Sequence, residues 1–289
     1  MKFDEAYSGN VFIGSTCTYE ESDVVLYGMP MDWTVSYRPG SRFGPGRIRE
    51  ASIGLEEYSP YCDRQLEEVR YHDIGDLPLP FGNASKSLDQ IREFVSRLLK
   101  DGKKPFGMGG EHLVSWPVME VLADTYADLA IIHFDAHTDL REHYEGEPLS
   151  HSTPIRKIAE KMGPHHVYSF GIRSGMKEEF QWAEKHGMHI SKFDVLEPLR
   201  RMLPSLDGRP VYVTIDIDVL DPAHAPGTGT VDCGGITSKE LLASIQAIGQ
   251  SGVNVVGCDL VEVAPVYDPT EQTVNTASKL IREMVLNWY

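Results

Sequence analysis

The chain has 289 residues, of which 41% are hydrophobic, enough to form the core of one large α/β domain or at most two. Its 27 lysines and arginines against 43 aspartates and glutamates give a formal net charge of −16, and no segment is rich in lysine or arginine. This balance argues against nucleic acid or an anionic membrane surface as partner and suits a small cationic substrate.

The cysteines and the start of the chain indicate where the protein works. The four cysteines are spread along the chain without a Cys-x-x-Cys pair, a pattern that predicts reduced thiols. The first residues, Met-Lys-Phe-Asp-Glu-Ala, do not resemble a signal peptide. No run approaches the roughly 20 apolar residues of a membrane helix. We therefore expect a cytoplasmic protein.

Apolar and amphipathic segments alternate along the chain. The predicted strands are Val24–Gly28, Val69–Asp73, Pro105–Met108, Leu129–Phe134, Val167–Phe170, Val211–Ile215 and Val253–Cys258. Apolar residues recur with a period of 3.6 over 88–99, where Asp101 and Gly102 end a helix, and a second helix begins near Ser238, capped by Thr237 or by Ser238 itself. The alternation predicts an α/β fold whose mostly parallel sheet is covered on both faces. No repeat or linker divides it, so we expect a single domain over residues 1–289.

Side chains that can bind metal follow four of these strands. His112 comes shortly after the third strand, Asp135 directly after the fourth, Asp216 and Asp218 after the sixth, and Glu262 after the seventh. Ligands of parallel sheets bind beyond the carboxyl ends of the strands. We therefore expect these side chains to meet at one edge of the sheet.

The Asp-Ala-His-Thr-Asp run at 135–139 carries the strongest signal. In an extended backbone every second side chain points to the same side, so Asp135, His137 and Asp139 should converge. Three converging ligands of this type are the minimum for a catalytic metal site. The sequence therefore predicts a metal site at this run.

The Asp-Ile-Asp-Val-Leu-Asp-Pro run at 216–222 repeats the alternation. Asp216 and Asp218 emerge from an apolar strand, where a divalent cation would offset the free-energy cost of burying their carboxylates. Asp221 is instead interpreted as an Asx-type turn or a supporting residue. With Asp135 and Asp139 the site has four carboxylates, which balance two divalent ions. Carboxylate and imidazole ligands suit Mn²⁺, and two ions that share a water generate a hydroxide nucleophile near neutral pH.

Three runs in this order resemble those of the ureohydrolases, the family of arginase, agmatinase and their relatives. They are Gly-Gly-Glu-His at 109–112 and the runs at 135–139 and 216–222. The resemblance covers nearly the whole chain, including residues 37–45 and 262–265, and is greatest to the bacterial agmatinase branch. It implies one arginase-like, three-layer αβα sandwich with an eight-stranded, mainly parallel sheet. It also implies a homotrimer or homohexamer.

The same resemblance implies two Mn²⁺ per chain and a role for each site residue. One ion would be held by His112, Asp135, Asp139 and Asp216, and the other by Asp135, His137, Asp216 and Asp218, so that Asp135 and Asp216 bridge. Glu262 would bind the guanidinium group of the substrate. Asp139 would transfer a proton to the leaving amine, and His151 would contact the substrate and exchange protons with solvent. His133 is interpreted as a core or supporting histidine.

The implied reaction is hydrolysis of a linear guanidine to an amine and urea. Arginases recognise the substrate carboxylate near the positions of Arg141 and Glu147, and Glu147 would repel a carboxylate. We therefore expect agmatine as substrate and putrescine as product, a step in polyamine formation. Arg38 and Arg42 leave a carboxylate-bearing guanidine open, either guanidinobutyrate or arginine. The alternative for both arginines is structural salt bridging or subunit contact.

Two other protein classes fit the sequence less well. A dinuclear phosphoesterase would require an Asn-His pair, which the chain lacks. A metal-binding regulatory homologue without activity would be expected to have lost a ligand, and all six are present. The glycines at 107–110 have neither the spacing of a dinucleotide-binding loop nor a P-loop lysine.

Overall fold

The computed structural model describes residues 10–289. The strands are β1 (Val24–Met29), β2 (Tyr58–Ser59), β3 (Arg64–Gln65), β4 (Tyr71–Asp76), β5 (Lys104–Gly109), β6 (Ala130–Phe134), β7 (Val167–Ile172), β8 (His189–Lys192), β9 (Pro210–Asp216) and β10 (Asn254–Val261). The α-helices are α1 (Gly44–Ser52), α2 (Ala84–Lys100), α3 (Ser115–Thr125), α4 (Pro154–Met162), α5 (Lys177–Lys185), α6 (Leu196–Met202), α7 (Ser238–Gly249) and α8 (Gln272–Trp288). Strands and helices thus alternate through most of the chain, as predicted.

Eight strands form one sheet in the order β4-β1-β5-β10-β9-β6-β7-β8. Every neighbouring pair in it is parallel. The two remaining strands, β2 and β3, make a small antiparallel hairpin. The predicted eight-stranded, mainly parallel sheet is confirmed.

The core lies in two apolar layers, one on each face of the sheet. One layer joins α1, α6, α7 and α8 to the sheet, and the other joins α2, α3, α4 and α5. Strand β1 contributes to both, because Val24 and Leu26 enter the first layer while Val25 and Tyr27 enter the second. Burial on both faces explains why its sequence is continuously apolar. The predicted αβα sandwich is confirmed.

Seven strands lie where the sequence predicted them, with ends shifted by a few residues. The eighth strand, β8, was not predicted. It is four residues long, lies at the edge of the sheet and is partly exposed, so its sequence lacks an apolar run.

The predicted helix signals match α2 and α7. Helix α2 ends at Lys100, and Gly102 follows with a φ of 73°. Helix α7 is capped by Thr237, whose hydroxyl accepts the Glu240 N–H while the Glu240 carboxylate accepts the Thr237 N–H. Both ends are therefore determined by local sequence.

The prediction that the chain does not begin with a signal peptide concerns residues 1–6, which lie outside the described residues. The prediction that no segment is a membrane helix can be compared with the described part of the chain. Across residues 10–289, no helix combines the length and the apolar character needed to cross a membrane.

Candidate metal centre

The four central strands of the sheet bring the predicted residues together. In the order β5, β10, β9 and β6, these strands are neighbours. His112 begins the short turn after β5, Glu262 follows β10 directly, Asp216 is the last residue of β9, and Asp135 follows β6 directly. Because all four strands are parallel, their carboxyl ends meet at one edge, as expected.

The reason for the convergence differs from the prediction. Strand β6 ends at Phe134 and the backbone bends at Ala136, so residues 135–139 are not extended. Instead, the Asp135 carboxylate accepts the His137 N–H, and the Asp216 carboxylate accepts the Asp218 N–H at 2.9 Å. Each run therefore opens with an Asx-type turn, in which an aspartate binds the backbone two residues later. The expectation of an extended alternation was wrong, although the side chains do meet.

Two site residues have left-handed backbones. Asp139 has a φ of 50° and Glu262 a φ of 64°. Non-glycine residues rarely adopt this conformation, and such strain clusters at functional sites. Both carboxylates contact His112, Asp139 through Oδ2 at 3.1 Å from Nδ1 and Glu262 through Oε1, which accepts the His112 N–H.

One group of donor atoms surrounds His112. Its Nδ1 lies 3.1 Å from Asp135 Oδ2, 3.1 Å from Asp139 Oδ2 and 3.4 Å from Asp216 Oδ2. The same Nδ1 is buried and has no hydrogen-bond partner among residues 10–289, whereas Nε2 lies 3.0 Å from the Thr214 hydroxyl. The ring thus presents a free nitrogen to three carboxylate oxygens.

A second group surrounds His137. Its Nδ1 lies 3.0 Å from Asp218 Oδ2 and 3.5 Å from Asp135 Oδ1. His137, Asp218 and Asp135 bring their donor atoms within 4.8 Å of one another, close enough to share an ion. Asp135 contributes one oxygen to each group and therefore lies between them. The contacts of Asp216 described above place it in the first group.

His133 lies beneath Asp135 and is also close enough to His112 to share an ion with them. Both of its nitrogens are already engaged, however. Nε2 lies 2.8 Å from Asp135 Oδ2, and Nδ1 lies 2.9 Å from the Ser169 hydroxyl. The ring therefore orients Asp135, in keeping with its interpretation as a supporting histidine.

The electrostatics of the site show a shortage of positive charge. Burial and the neighbouring carboxylates raise the pKa of Asp216 and of Asp218. Although burial lowers the pKa of His112, contacts with Asp135, Asp139 and Asp216 raise it well above its usual value. The carboxylates thus attract protons onto the imidazoles and onto one another.

Glu262 and His151 lie side by side at the rim of this cluster. Glu262 Oε1 accepts the His112 N–H at 2.8 Å and lies 3.6 Å from His151 Nδ1. No donor from residues 10–289 contacts Glu262 Oε2 within hydrogen-bond distance. Although burial lowers the pKa of His151, Glu262 raises it, and the net pKa is raised.

Three further residues were not predicted from the sequence. Glu111 is fully buried, and its two oxygens accept the N–H and the hydroxyl of Thr34, both at 2.8 Å. Burial raises its pKa to about 7. Ser36 contacts His151 Nε2 through its N–H and its hydroxyl. The sequence offered one signal for these residues, because Glu111 is an acid in an apolar segment immediately before the metal-type His112.

A cavity of about 340 Å³ opens onto the site. Its lining includes His112, His137, Asp139, Arg141, Tyr144, His151, Asp216 and Glu262. Glu147 is exposed and lies outside this lining, so the argument that it repels a carboxylate has no support in the geometry.

The remaining predicted polar residues have structural contacts. Arg42 forms an ion pair with Asp32 at 2.8 Å, and Arg38 donates to the carbonyls of Thr228 and Gly229. Asp221 accepts the Ala223 N–H at 2.9 Å, the hydrogen bond of an Asx turn. The salt bridge of Arg42 and the turn of Asp221 agree with the structural alternatives stated for them, whereas Arg38 contacts backbone carbonyls and forms no ion pair among residues 10–289.

Comparison with known proteins places this site in a family. A model described as the arginase family matches residues 22–286. Agmatinase of Bacillus subtilis (strain 168) is 74% identical over 288 residues, covering 100% of this chain and 99% of that protein. Agmatinase of Bacillus anthracis is 73% identical with the same coverage. The crystal structure of agmatine ureohydrolase of Thermoplasma volcanium has a TM-score of 0.88 at 30% identity, covering 97% of this chain and 94% of that one. The resemblance inferred from the three runs is therefore confirmed: the chain belongs to the arginase family of ureohydrolases.

Proposed function

We propose that the chain hydrolyses the guanidine group of agmatine to give putrescine and urea, using two Mn²⁺. The observation that carries this proposal is a cluster of four aspartates and two histidines at adjacent strand ends, with Glu262 at its rim. High identity to agmatinases over the full chain supports agmatine as the substrate.

The residues present fit a pair of divalent cations. Within the described part of the chain, His112 Nδ1 has no hydrogen-bond partner, and it lies 3.1–3.4 Å from three carboxylate oxygens. Donors that bind one ion at about 2.1 Å and at right angles lie about 3 Å apart. Mixed carboxylate and imidazole donors suit Mn²⁺. We assign one ion to His112, Asp135, Asp139 and Asp216, and the other to Asp135, His137, Asp216 and Asp218.

The protein itself would bind and orient the guanidinium. When bound, the ions would act as Lewis acids that activate water near neutral pH. Glu262 already accepts the His112 N–H through Oε1, which leaves Oε2 to form a charge-assisted pair with the substrate. This pair would fix the guanidinium carbon relative to the attacking water.

Asp139 and His151 would move the protons. A guanidine nitrogen leaves poorly unless it is protonated, so the attacking water's proton must reach it. Asp139 is mostly buried on the cavity wall and is suited to carry that proton. The His151 side chain, 12% exposed in the same wall, is placed to exchange protons with solvent.

A carboxylate-bearing guanidine is the second candidate substrate. Arg141 lines the cavity, with its guanidinium 5.1 Å from the Tyr144 ring centroid. A cation at this position favours an anionic tail such as that of guanidinobutyrate, and disfavours the distal ammonium of agmatine. The position of Arg141 in the cavity wall is therefore the observation that favours this second candidate.

Urea release tests the proposal directly. Protein loaded with Mn²⁺ is assayed with agmatine, arginine and guanidinobutyrate at matched concentrations. We expect the highest kcat/KM for agmatine. Preference for guanidinobutyrate or arginine would overturn the substrate proposal, and Arg141→Ala would then show whether Arg141 sets that preference. If fully metal-loaded protein released no urea from any guanidine, the hydrolase proposal would fail.

We further propose that the chain assembles as a homotrimer or homohexamer and works in the cytoplasm as a single-domain enzyme of polyamine formation. The support is the family resemblance and the unclustered cysteines, which are free in the structure. Sedimentation equilibrium distinguishes the two assemblies, and a monomer would contradict both.

A further inference from the structure

His151 is held through one particular nitrogen. Its Nε2 lies 3.2 Å from the Ser36 backbone nitrogen and 2.9 Å from the Ser36 hydroxyl. A backbone N–H can only donate, so Nε2 is the accepting nitrogen in this contact. Neutral imidazole has one donor and one acceptor nitrogen. The proton therefore lies on Nδ1, the nitrogen that faces Glu262 Oε1 at 3.6 Å.

The segment that carries Ser36 is anchored by a buried acid. Glu111 accepts both the N–H and the hydroxyl of Thr34, two residues before Ser36. Glu111 also precedes His112, whose N–H binds Glu262 Oε1 at 2.8 Å. A closed circuit of contacts therefore passes through Glu111, Thr34, Ser36, His151, Glu262 and His112.

The far side of this segment is anchored independently. Asp32 accepts the Gly40 N–H at 2.7 Å, and Arg38 donates to the carbonyl of Thr228 at 2.9 Å. Ser36 therefore lies between fixed points, so little conformational entropy is left to lose when it binds the imidazole. Its side chain is nonetheless exposed, which leaves room for substitution.

We propose that Ser36 is a positioning residue that fixes the tautomer of His151, and that Glu111 holds Ser36 in place through Thr34. With Nε2 occupied, the proton that His151 exchanges on the cavity side is the one on Nδ1, next to the guanidinium-binding Glu262. The inference rests on the proposed function, which takes His151 as the group that exchanges protons during guanidine hydrolysis and Glu262 as the group that binds the guanidinium.

The test compares Ser36→Ala with Ser36→Thr in the full-length, Mn²⁺-loaded protein. Alanine removes the hydroxyl and keeps the backbone N–H, whereas threonine keeps both. Diethyl pyrocarbonate acylates unprotonated imidazole nitrogens, and peptide mass spectrometry gives the rate at each histidine. Exposed His165 serves as the internal control. The kcat for agmatine is measured on the same samples.

In Ser36→Ala, Nε2 loses one of two donors, so we expect His151 to be acylated about three- to tenfold faster, the effect of one neutral hydrogen bond. The kcat should fall by a similar factor, with His165 unaffected. Ser36→Thr should restore both values. Equal His151 rates in wild type and Ser36→Ala would overturn the proposal, as would a threonine variant that behaves like alanine.

Thr34→Val tests the role of Glu111. Valine matches threonine in shape but removes the hydroxyl that Glu111 accepts, and it leaves the metal-type residues untouched. We expect His151 to be acylated faster than in wild type. An unchanged rate would refute the anchoring role of Glu111. Because acylation is measured without substrate, this inference is decided even if the wild type released no urea and the proposed function failed.

Discussion

Two groups of largely buried carboxylates in this molecule differ in the positive charge that the chain supplies to them. Arg49 is 3% exposed and contacts Asp73 with two nitrogens, at 2.7 and 2.9 Å, and Asp76 with a third. Throughout the described part of the chain, no lysine or arginine forms an ion pair with the four aspartates of the candidate metal centre. The chain thus supplies a cation of its own to one group and none to the other.

The pKa values follow the same division. Although burial lowers the pKa of Arg49, its contacts with Asp73 and Asp76 raise it, so Arg49 stays charged and balances the buried Asp73 carboxylate, while Asp76 is partly exposed to solvent. In the metal centre burial and mutual repulsion raise the pKa of Asp216 and Asp218 instead. Buried carboxylates without a counter-charge are costly. A group left incomplete in this way is therefore built for a cation from outside the chain.

The largest expected effect is the loss of one carboxylate from the incomplete group. Asp218→Ala should reduce bound Mn²⁺ from two ions to one per chain and lower kcat by about a thousandfold, since metal catalysis supplies several kcal/mol. Metal analysis and urea release measure the two effects. Asp221→Asn is the matched control in the same run, because Asp221 binds backbone N–H groups. Two ions and persisting activity in Asp218→Ala would show the ligand assignment to be wrong.

Removing the cation from the Arg49 group should lower the stability of the fold and leave metal binding unaffected. Arg49→Met leaves Asp73 buried without its partner, which should lower the free energy of unfolding by about 3–5 kcal/mol. Urea-induced unfolding measures the change. The exposed pair of Arg70 and Asp23 provides the control, since Arg70→Met should cost at most about 1 kcal/mol. A fall in Mn²⁺ stoichiometry in folded Arg49→Met would contradict the separation of the two groups.

A third buried acid, Asp259, tests how far the metal centre extends. It accepts the Tyr212 hydroxyl at 2.5 Å and lies beside Thr214 in the sheet register. The Thr214 hydroxyl in turn contacts His112 Nε2 at 3.0 Å. Asp259→Asn should therefore weaken Mn²⁺ affinity by about 10- to 100-fold, as is usual for residues that orient ligands. Competition with a chelator measures the affinity, and Tyr212→Phe should show a smaller change. If Asp259→Asn left the Mn²⁺ affinity unaltered, Asp259 would have no part in orienting the metal ligands.

The sequence predicted the fold because most strands are buried on both faces. The apolar runs of β1, β6 and β9 reflect that burial directly. Strand β8 escaped prediction because an edge strand that is partly exposed does not need apolar residues. Its place in the sheet is set by parallel pairing with β7, which is a long-range property.

The site was predicted as far as its local runs extend. Asp135, His137 and Asp139 were found because they lie within five residues, although a turn brings them together. The anchors of His151 were missed because they are distant in sequence. Glu111 contacts Thr34 across 77 positions, and Ser36 contacts His151 across 115. Periodicity carries no information on contacts of that kind.

The smallest expected effect concerns Asp268, a buried acid whose carboxylate is stabilised by hydrogen bonds from uncharged donors. Its Oδ2 accepts the N–H and the hydroxyl of Thr273 in the first turn of α8, both at 2.7 Å, and its Oδ1 accepts the Thr270 N–H at 3.0 Å. Burial raises its pKa, but these hydrogen bonds outweigh burial and lower it below the ordinary value. Asp268→Asn should lower the free energy of unfolding at pH 7 by about 1–2 kcal/mol, because a neutral amide accepts these hydrogen bonds more weakly than a carboxylate and its nitrogen cannot accept them at all.

The pH dependence of this loss tests whether the carboxylate is stabilised in its charged form, and its dependence on Mn²⁺ tests whether a bound ion contributes. A carboxylate whose folded-state pKa is depressed contributes stability above its unfolded pKa, about 3.9, and loses it as pH falls through the folded value. The stability difference between wild type and Asp268→Asn should therefore be constant from pH 7 to about 5 and shrink below about 4. Added Mn²⁺ should leave the difference unchanged, because no ion balances this carboxylate. An undiminished difference at pH 3, or a difference that grew with Mn²⁺, would show that the hydrogen bonds of the chain are not what stabilises the Asp268 carboxylate.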